Sequence, residues 1–356
     1  MKTDRKLRLS KTSRTNYLTY LMVIAAFIIL QSMSSAGMLK SALRGQLVPI
    51  CAYVTVALAL NLTVGVLGEL SLGHAGFMSV GAFAGAVVAS ALRDSVASDP
   101  LRLTIALVVG AIFAAIAGVL IGIPVLRLNG DYLAIVTLAF GEIIKSLINN
   151  LYIGVDARGL HSSFIKNTIT LGEGGRMILS GPMGVPGINK ISTFAAGFIL
   201  IMITLVVIFH LVNSRSGRAI MALRDNRIAA ESVGIKVTKY KMMAFVTSAA
   251  LAGAAGTLFA LGQNTIIASK FDFNQSILIL VFVVLGGQGR MWGSIIAAAA
   301  LTVLPELLRE FADYRMLVYA IVLILVMLLT NNPTLKNFFA GIAAKIKKTE
   351  KGAEVG

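Results

Sequence analysis

The chain has 356 residues, of which 57% are hydrophobic and 13% are charged. Soluble globular domains carry about 25% charged residues, so this composition excludes a water-soluble enzyme of the ordinary kind. The formal net charge of +16 does not indicate a nucleic-acid partner, because most of it lies in three short basic segments beside apolar runs: residues 1–16, 213–241 and 336–356. Short basic segments beside apolar runs are typical of the cytoplasmic loops and tails of an integral membrane protein. The sequence therefore predicts the lipid bilayer as a partner.

A helix that spans a membrane needs about 20 mostly apolar residues, and the sequence contains ten candidates. They are residues 17–36, 46–67, 72–92, 101–123, 131–149, 192–212, 241–262, 275–288, 292–308 and 316–332. The segment 275–288 is short, so it is either a full span or half of a re-entrant pair. The sequence therefore predicts an all-α integral membrane protein with about ten transmembrane helices, or eight if a re-entrant pair is present.

The basic segments predict the topology. Six candidate spans lie between the first and second basic segments and four between the second and third, so all three can be cytoplasmic. The chain then divides into a basic tail (residues 1–16), a transmembrane domain (17–335) and a second basic tail (336–356), with both termini cytoplasmic. Within the domain, residues 150–191 form an external loop and residues 213–240 a cytoplasmic segment.

The ten predicted spans divide into two sets of five. Since five is odd, an internal duplication would have inverted topology, and each half contains a glycine-interrupted segment, residues 65–76 and 286–293. The first apolar segment follows a basic tail and also resembles a signal peptide. We expect an uncleaved anchor, because a multispanning protein can use its first span as its signal.

Residues 68–77 combine three glycines with polar side chains inside an apolar stretch. Irregular backbone at membrane depth is tolerated only where protein or a water-filled cavity surrounds it. Two interpretations stay open: a turn or gate in which His74 is a satisfied packing residue, or a segment that contacts the substrate. The candidate pathway or gate residues are Glu69, Ser71, Gly73, His74, Gly76 and Phe77, with Gly286, Gly287 and Gly289 in the second half.

The fifth predicted span contains two charged residues. Asp131 stands in its first turn, where a carboxylate favours a helix N-terminus. Glu142 and Lys145 are three residues apart and share a helix face. They form either an ion pair in the outer headgroup zone or part of a proton or substrate relay.

Residues 180–188 of the predicted external loop are rich in glycine and proline, which fix turns. The segment is either a plain connector or the place where a delivery protein docks.

The cytoplasmic segment has a helical pattern over residues 216–232, and Gly234 is well placed to end the helix. A short helix between spans can be presented to a soluble motor. The alternative is an amphipathic helix that lies on anionic lipid. The candidate coupling residues are Arg218, Arg224, Ala229, Ala230, Glu231 and Gly234.

Three GxxxG pairs predict close helix packing: Gly81 with Gly85, Gly118 with Gly122, and Gly289 with Gly293.

Motifs for catalysis or nucleotide binding are missing from the sequence. It contains no GxxxxGK[ST], so we expect no ATP binding by a P-loop, and it contains neither HExxH nor GxSxG. Three scattered histidines do not make a metal site. The single cysteine, Cys51, excludes a disulfide or a cysteine-ligated zinc site within the chain.

Five blocks of the sequence resemble the permeases of branched-chain amino acid ABC transporters. The blocks are GELSLGHAGFMSVGAF (68–83), RLNGDYLAIVTLAFGEII (127–144), SRSGRAIMALRDNRIAAESVGI (214–235), VVLGGQGRMWGS (283–294) and LPELLRE (304–310). They follow the family's order, and the second block favours the LivM type over its LivH-type partner. One departure is Ser180-Gly181-Pro182, where the family pattern is richer in glycine.

The resemblance implies a type II-like ABC importer permease in the bacterial cytoplasmic (inner) membrane, with leucine, isoleucine or valine as substrate. It implies a LivH-type permease, two cytoplasmic ATP-binding subunits of the LivG and LivF type, and a periplasmic amino-acid-binding protein as partners. The chain itself would be non-catalytic and would hold no cofactor, since ATP and Mg²⁺ would bind to the partner ATPases. The third block would couple the chain to those subunits.

Other functions stay open beside this one. Related permeases for urea or short amides share parts of the motifs. An ion-coupled secondary transporter would use Glu69, His74 or Glu142 as its coupling site. A membrane scaffold or sensor subunit would bind partners without transporting a substrate.

Overall fold

The computed structural model of the chain describes residues 11–38, 40–93, 95–128, 130–156, 159–164 and 175–308, and residues 317, 320, 321 and 324 individually. The chain divides into two units, Met1–Thr302 and Val303–Gly356. In the second unit, residues 303–307 complete the last long helix, and residues 317, 320, 321 and 324 are helical. The predicted tail 336–356 and most of the predicted span 316–332 lie outside the described residues, as do residues 1–10.

Helices dominate the described residues. They are α1 (Lys11–Ser35), α2 (Ser41–Asn61), a π-helix (Leu62–Leu67), α3 (His74–Ala91), α4 (Asp99–Val125), α5 (Asp131–Asn149), α6 (Phe194–Asn213), α7 (Arg215–Asp225), α8 (Arg227–Ser232), α9 (Val237–Ala260), α10 (Phe273–Gly286) and α11 (Met291–Leu307). Short 3-10 turns cover Gly181–Met183 and Ala268–Phe271.

Six helical segments in the described part of the chain are long and apolar enough to cross a membrane. They are Asn16–Ser35, Ser41–Leu67, His74–Ala91, Asp99–Val125, Phe194–Asn213 and Val237–Ala260. The apolar helices α10 and α11 are shorter, with 14 and 17 residues, and α5 covers the predicted span 131–149 with 19 residues. The multispanning helical class is therefore confirmed, whereas the count of ten spans and the inverted repeat stay predictions.

The long helices of the first unit run between two ends of the helical bundle. At one end, Arg176 of the loop after α5 donates to the carbonyl of Ser90, at the end of α3, over 2.6 Å. We call this the sheet end, after the strands in residues 150–191. At the other end, Arg224 of α7 donates to the carbonyl of Gly65 in the π-helix over 3.0 Å. We call this the α7 end.

Helix α9 lies at the centre of the first unit because glycines let it approach α3 and α4 closely. A Cβ atom on Gly81 would come within 2.0 Å of the Gly253 carbonyl oxygen, and one on Gly118 would come within 2.7 Å of the Ala249 side chain. Thr257 of α9 also donates to the Gly81 carbonyl over 2.8 Å. The predicted packing role of the first two GxxxG pairs is confirmed.

The third GxxxG pair does not form one face of a helix. Gly289 lies in the turn before α11 and has a φ of +79°. Gly293 lies inside α11, where its absent side chain lets the Gly286 carbonyl approach. The pair was therefore correctly assigned to close packing, but Gly293 packs on Gly286 at the end of α10, whereas Gly289 packs on Gly65 of the π-helix.

We predict that Gly256→Ala destabilises the protein. The added Cβ would lie 1.9 Å from the Met78 carbonyl oxygen, which is backbone and cannot rotate away, and overpacking of this kind costs about 1–3 kcal/mol or more. The control is Gly45→Ala, because Gly45 is a helical glycine with open space around it. Thermal unfolding of the detergent-solubilised protein should show a lower midpoint only for Gly256→Ala; equal midpoints would contradict the close approach of α3 and α9.

The loop between α5 and α6 contains a small sheet that the all-α prediction missed. Its antiparallel strands are β1 (Tyr152–Asp156), β2 (Gly159–Ser163) and β3 (Arg176–Ser180), in the order β2-β1-β3. Gly154 pairs with His161 on one side and Met177 on the other. A two-stranded hairpin is marginal in water, whereas a third strand and packing stabilise it. Here β3 buries Ile178 and Leu179, which short strands in a mixed-composition loop did not reveal.

The predicted single helix over residues 216–232 is two helices. Asn226 has extended backbone angles (φ −155°, ψ 104°), and its side-chain oxygen accepts a hydrogen bond from the backbone nitrogen of Ala229 over 3.0 Å. It therefore ends α7 and caps α8. Gly234 ends α8 as predicted, with a φ of +86°. Its N–H donates to Glu231, and Ile235 donates to Ala230, which is the Schellman arrangement.

Candidate functional site

The glycine-rich segment 68–77 is a turn followed by the first turn of α3. The π-helix ends at Gly68, which has a φ of +80°, and α3 begins at His74. The N–H of Glu69 donates to the Thr63 carbonyl over 3.1 Å. π-Helical turns are rare and occur often at functional sites. This one joins α2 to the turn formed by residues 68–73.

Glu69 forms a buried ion pair with Lys241, the fifth residue of α9. The side chains of Lys241 and Glu69 are only 4% and 14% exposed. Charges removed from water are costly unless they are paired. The pair therefore fixes the turn before α3 to the beginning of α9, the helix that directly follows α8.

His74 is buried, and both of its ring nitrogens have partners. Its Nε2 lies 2.7 Å from the hydroxyl of Ser248, and its Nδ1 lies 3.2 Å from the hydroxyl of Ser71. Ser248 donates its one proton to the Ala59 carbonyl, so its oxygen must accept from Nε2, and Nδ1 must accept from Ser71. Both ring nitrogens of the neutral imidazole are therefore bonded within the protein, as in a packing histidine. Neither is free to bind a substrate.

The same segment packs directly against α5. A Cβ on Gly73 would lie 2.7 Å from the Thr137 carbonyl oxygen, and one on Gly76 would lie 2.9 Å from the Cα of Gly141. Thr137 accepts a hydrogen bond from the backbone nitrogen of Leu72 over 3.1 Å. Of the predicted gate residues, Ser71, Gly73, His74, Gly76 and Phe77 are all buried within the chain.

The second glycine segment meets the first through Asn61. The Asn61 side-chain oxygen accepts from the backbone nitrogen of Gly289 over 2.7 Å. Its amide nitrogen donates to the Arg290 carbonyl over 3.2 Å and to the Ser294 hydroxyl over 2.8 Å. Gly65 lies so close that a Cβ there would be 2.1 Å from the Gly289 nitrogen. The two predicted glycine-interrupted segments therefore lie together in one junction at the α7 end.

Gly286 and Gly287 form the other side of this junction. Gly287 has a φ of +90°, which L side chains rarely adopt, and it begins the turn that returns the chain to α11. A cavity of about 370 Å³ borders the junction and is lined by Val66, Gly289 and Arg290, among others.

Arg224 links the cytoplasmic segment to the junction. It donates to the Gly65 carbonyl, and its aliphatic stem occupies the space that a side chain on Gly68 would fill. The guanidinium also pairs with Asp225 over 2.9 Å. Of the predicted coupling residues, Arg224 alone contacts the glycine junction among the described contacts.

Of the other predicted coupling residues, one is buried and four are exposed. Ala230 is buried with Leu223 and Val237 in a small cluster that fixes α7 and α8 to α9. Four are exposed: Arg218, Ala229, Glu231 and Gly234. Between them, Ile228 and Val233 are 81% and 75% exposed. These are the most exposed large apolar side chains among the described residues, and grouped exposed apolar side chains mark candidate surfaces for contact with another protein.

Several polar residues that contact the candidate site were missed by the sequence analysis. Asn61, Thr137 and Ser248 were not selected, although each is a buried polar residue within a predicted span. Polar side chains inside such helices are costly and mark functional contacts, so this signal was available. The partner of each side chain was not, because it lies on another helix. Glu142 and Lys145 form an ion pair, as their spacing allowed, and the relay interpretation stays a prediction. The described residues contain no group of three or more His, Cys, Asp or Glu side chains that could hold a metal ion.

Comparison with known proteins assigns the family. The family model described as "Branched-chain amino acid transport system / permease component" matches residues 42–327, and the chain belongs to this family. The high-affinity branched-chain amino acid transport system permease protein LivM of Escherichia coli (strain K12) is 39% identical over 287 residues, which cover 78% of this chain. The match spans 66% of that relative's length, just under two thirds.

The more distant relatives include a second LivM protein and a permease named for a sugar. The probable branched-chain amino acid transport permease protein LivM of Methanocaldococcus jannaschii is 25% identical over 288 residues, covering 72% of this chain and 78% of that protein. The fructose import permease protein FruG of Bifidobacterium longum is 26% identical over 244 residues, covering 66% and 67%. No solved structure matches the chain significantly.

Proposed function

We propose that this chain is a permease subunit of an ATP-driven importer for branched-chain amino acids. The observation that carries the proposal is the 39% identity to a LivM permease, against 26% to a fructose import permease. The chain catalyses no covalent chemistry. Two partner ATPases of the LivG and LivF type hydrolyse ATP with Mg²⁺, a LivH-type permease completes the pathway, and a periplasmic protein delivers the amino acid.

We place the α7 end in the cytoplasm and the sheet end outside, in the bacterial inner membrane. The support is charge: the α7 end carries the basic segment 213–241, which holds seven lysines and arginines and two acids, and basic loops favour the cytoplasmic side. The first turns of α1 lie at the same end, because Tyr20 of α1 contacts Phe209 near the end of α6 while Phe27 stacks on Phe198 near its start.

The coupling route follows the contacts of α7 and α8. A partner ATPase docks on the exposed surface formed by Ile228 and Glu231 of α8 and by Val233, the residue that follows it. A shift of α8 is passed to α7 and α9 through their shared apolar cluster. Arg224 then moves the π-helix, and Lys241 moves the turn at Glu69. The two glycine segments rearrange at their common junction and open the pathway to one side at a time.

We predict that Glu231→Arg uncouples transport while the protein stays in the membrane. Glu231 is exposed and forms no side-chain hydrogen bond or ion pair among the described residues, so the fold should survive while the charge presented to the ATPase is reversed. Uptake of labelled leucine per membrane-inserted chain should fall at least tenfold, with Glu231→Gln intermediate. Wild-type uptake by Glu231→Arg at equal expression would remove the coupling assignment.

The function is tested by purification followed by transport. The tagged chain is purified from its native membrane in mild detergent, and its partners are identified by mass; we expect two P-loop ATPases and a second permease. The complex is then placed in liposomes with the binding protein. Leucine uptake should require ATP and should resist an uncoupler. Uptake that an uncoupler abolishes while ATP is maintained would instead support an ion-coupled transporter.

A further inference from the structure

A second cavity lies at the sheet end, away from the glycine junction. Its volume is about 210 Å³, and it lies beneath residues 185–191, between the end of α3, the start of α4 and the end of α9. Three arginines line it: Arg93, Arg102 and Arg176. None of them belongs to the predicted pathway or to the coupling segment.

Arg102 is the buried member of this set. It is 5% exposed, and its guanidinium pairs with Asp99 over 2.6 Å. The Asp99 side chain is 63% exposed, so water screens the compensation that it gives. The Nε of Arg102 is buried and has no hydrogen-bond partner. Arg102 also lines the cavity, so a ligand that enters the cavity meets a guanidinium whose charge is only partly compensated.

Two further arginines and several apolar side chains line the rest of the cavity. Arg176 is held in place by its hydrogen bond to the Ser90 carbonyl, and Arg93 is exposed at the end of α3. The lining also includes the apolar side chains of Ile178, Val185, Ile188 and Leu261. The guanidinium fork matches a carboxylate in shape and charge, and the apolar wall matches an aliphatic body.

We propose that this cavity binds the carboxylate of an aliphatic acid, and that a free branched-chain amino acid is the source of that carboxylate. The choice of source rests on the proposed function, as does the assignment of the cavity to the outer side. An aliphatic amino acid has the two features that the wall offers. A glutamate or aspartate of a docked protein offers the same carboxylate without a branched aliphatic chain.

The test measures binding to the purified complex in nanodiscs, without ATP and without the binding protein, by saturation-transfer NMR. The probes are L-leucine, 4-methylpentanoate (the leucine skeleton without the amine) and 3-methylbutylamine (the same skeleton without the carboxylate). We expect the two acids to bind and the amine not to bind. Arg93→Gln and Arg102→Gln should each weaken binding of the acids about tenfold, as expected for a lost charged hydrogen bond.

Two features keep the test decisive. Arg93 is exposed, so Arg93→Gln should fold even if Arg102→Gln does not. Arg127→Gln is the matched control, because Arg127 is an exposed arginine beyond the opposite end of α4; it should bind both acids as the wild type does. Equal affinities of wild type, Arg93→Gln and Arg102→Gln for both acids would overturn the free amino acid as the source.

A second pair of probes distinguishes the protein source. The blocked peptide acetyl-Ala-Glu-Ala-amide is compared with its Gln counterpart. Arginine-dependent binding of the Glu peptide alone would support a carboxylate site and overturn the free amino acid as its source. If no acid binds in an arginine-dependent way, the proposal fails. ATP-driven leucine uptake is measured on the same complex, so failure of the importer assignment would be seen separately as absent uptake.

Discussion

Replacing Lys241 by methionine should abolish leucine uptake, because it leaves the Glu69 carboxylate largely buried without its partner. Removal of one member of a buried ion pair costs about 3–5 kcal/mol, and both side chains here are mostly shielded from water. Glu69→Leu should have a similar effect, since it leaves the Lys241 ammonium unpaired. The measurement is ATP-driven uptake of labelled leucine into liposomes that contain the whole complex, normalised to the amount of inserted chain.

The double variant Glu69→Gln/Lys241→Met separates a structural ion pair from an ion-coupling site. Neutral side chains that replace both members of a buried pair are often tolerated, so the double variant should recover most of the uptake that Lys241→Met loses. An ion-coupled transporter that used Glu69 could not recover, because its titrating carboxylate would be gone. A double variant as inactive as the single one would therefore count against our assignment.

The Glu142–Lys145 pair on α5 provides the matched control. It is also a Glu–Lys ion pair, but its members are three residues apart on one helix, and its side chains are 42% and 24% exposed. Exposed pairs contribute about 0–1 kcal/mol, so Glu142→Gln and Lys145→Met should leave uptake near the wild-type value. Loss of uptake in Glu142→Gln alone would revive the relay interpretation of this span.

Replacing Gly65 by alanine should reduce uptake at least tenfold while the partner subunits still assemble. The added Cβ would lie 2.1 Å from both the Asn61 side-chain oxygen and the Gly289 backbone nitrogen. It therefore separates the two glycine segments and breaks the hydrogen bond between Asn61 and Gly289. Uptake is compared with co-purification of the ATPases from the same membranes, which tells loss of junction movement from loss of the complex.

Gly141→Ala is the control for the glycine junction. Gly141 is also a helical glycine beside the segment 68–77, but a Cβ there would be 4.0 Å from its nearest neighbour, the Cα of Gly73. That distance is an ordinary contact, so uptake should be unchanged. Equal uptake by Gly65→Ala and the wild type would show that close approach of Gly65 and Gly289 is not needed for transport.

Much of the helical architecture followed from local pattern. Apolar runs of membrane length predicted the helices, because a spanning backbone must satisfy its own hydrogen bonds, and helices occupy all predicted spans up to residue 308. Gly234 ended its helix as expected because a positive φ is a local property. The sheet in residues 150–191 and the break at Asn226 were missed. In both places the local sequence pattern was weak. Strand pairing in one place and helix capping in the other determined the structure instead.

By itself, the sequence determined the membrane class, the family motifs and the two glycine-interrupted segments. It showed that Glu69 and His74 were unusual, but it left two interpretations for each. The tertiary structure decided between partners: Glu69 meets Lys241 from 172 residues away, and Asn61 meets Arg290 from 229 residues away. Such pairs depend on which helices become neighbours. Neighbours are selected by close packing of side chains and glycines across the whole bundle, which no local spacing encodes.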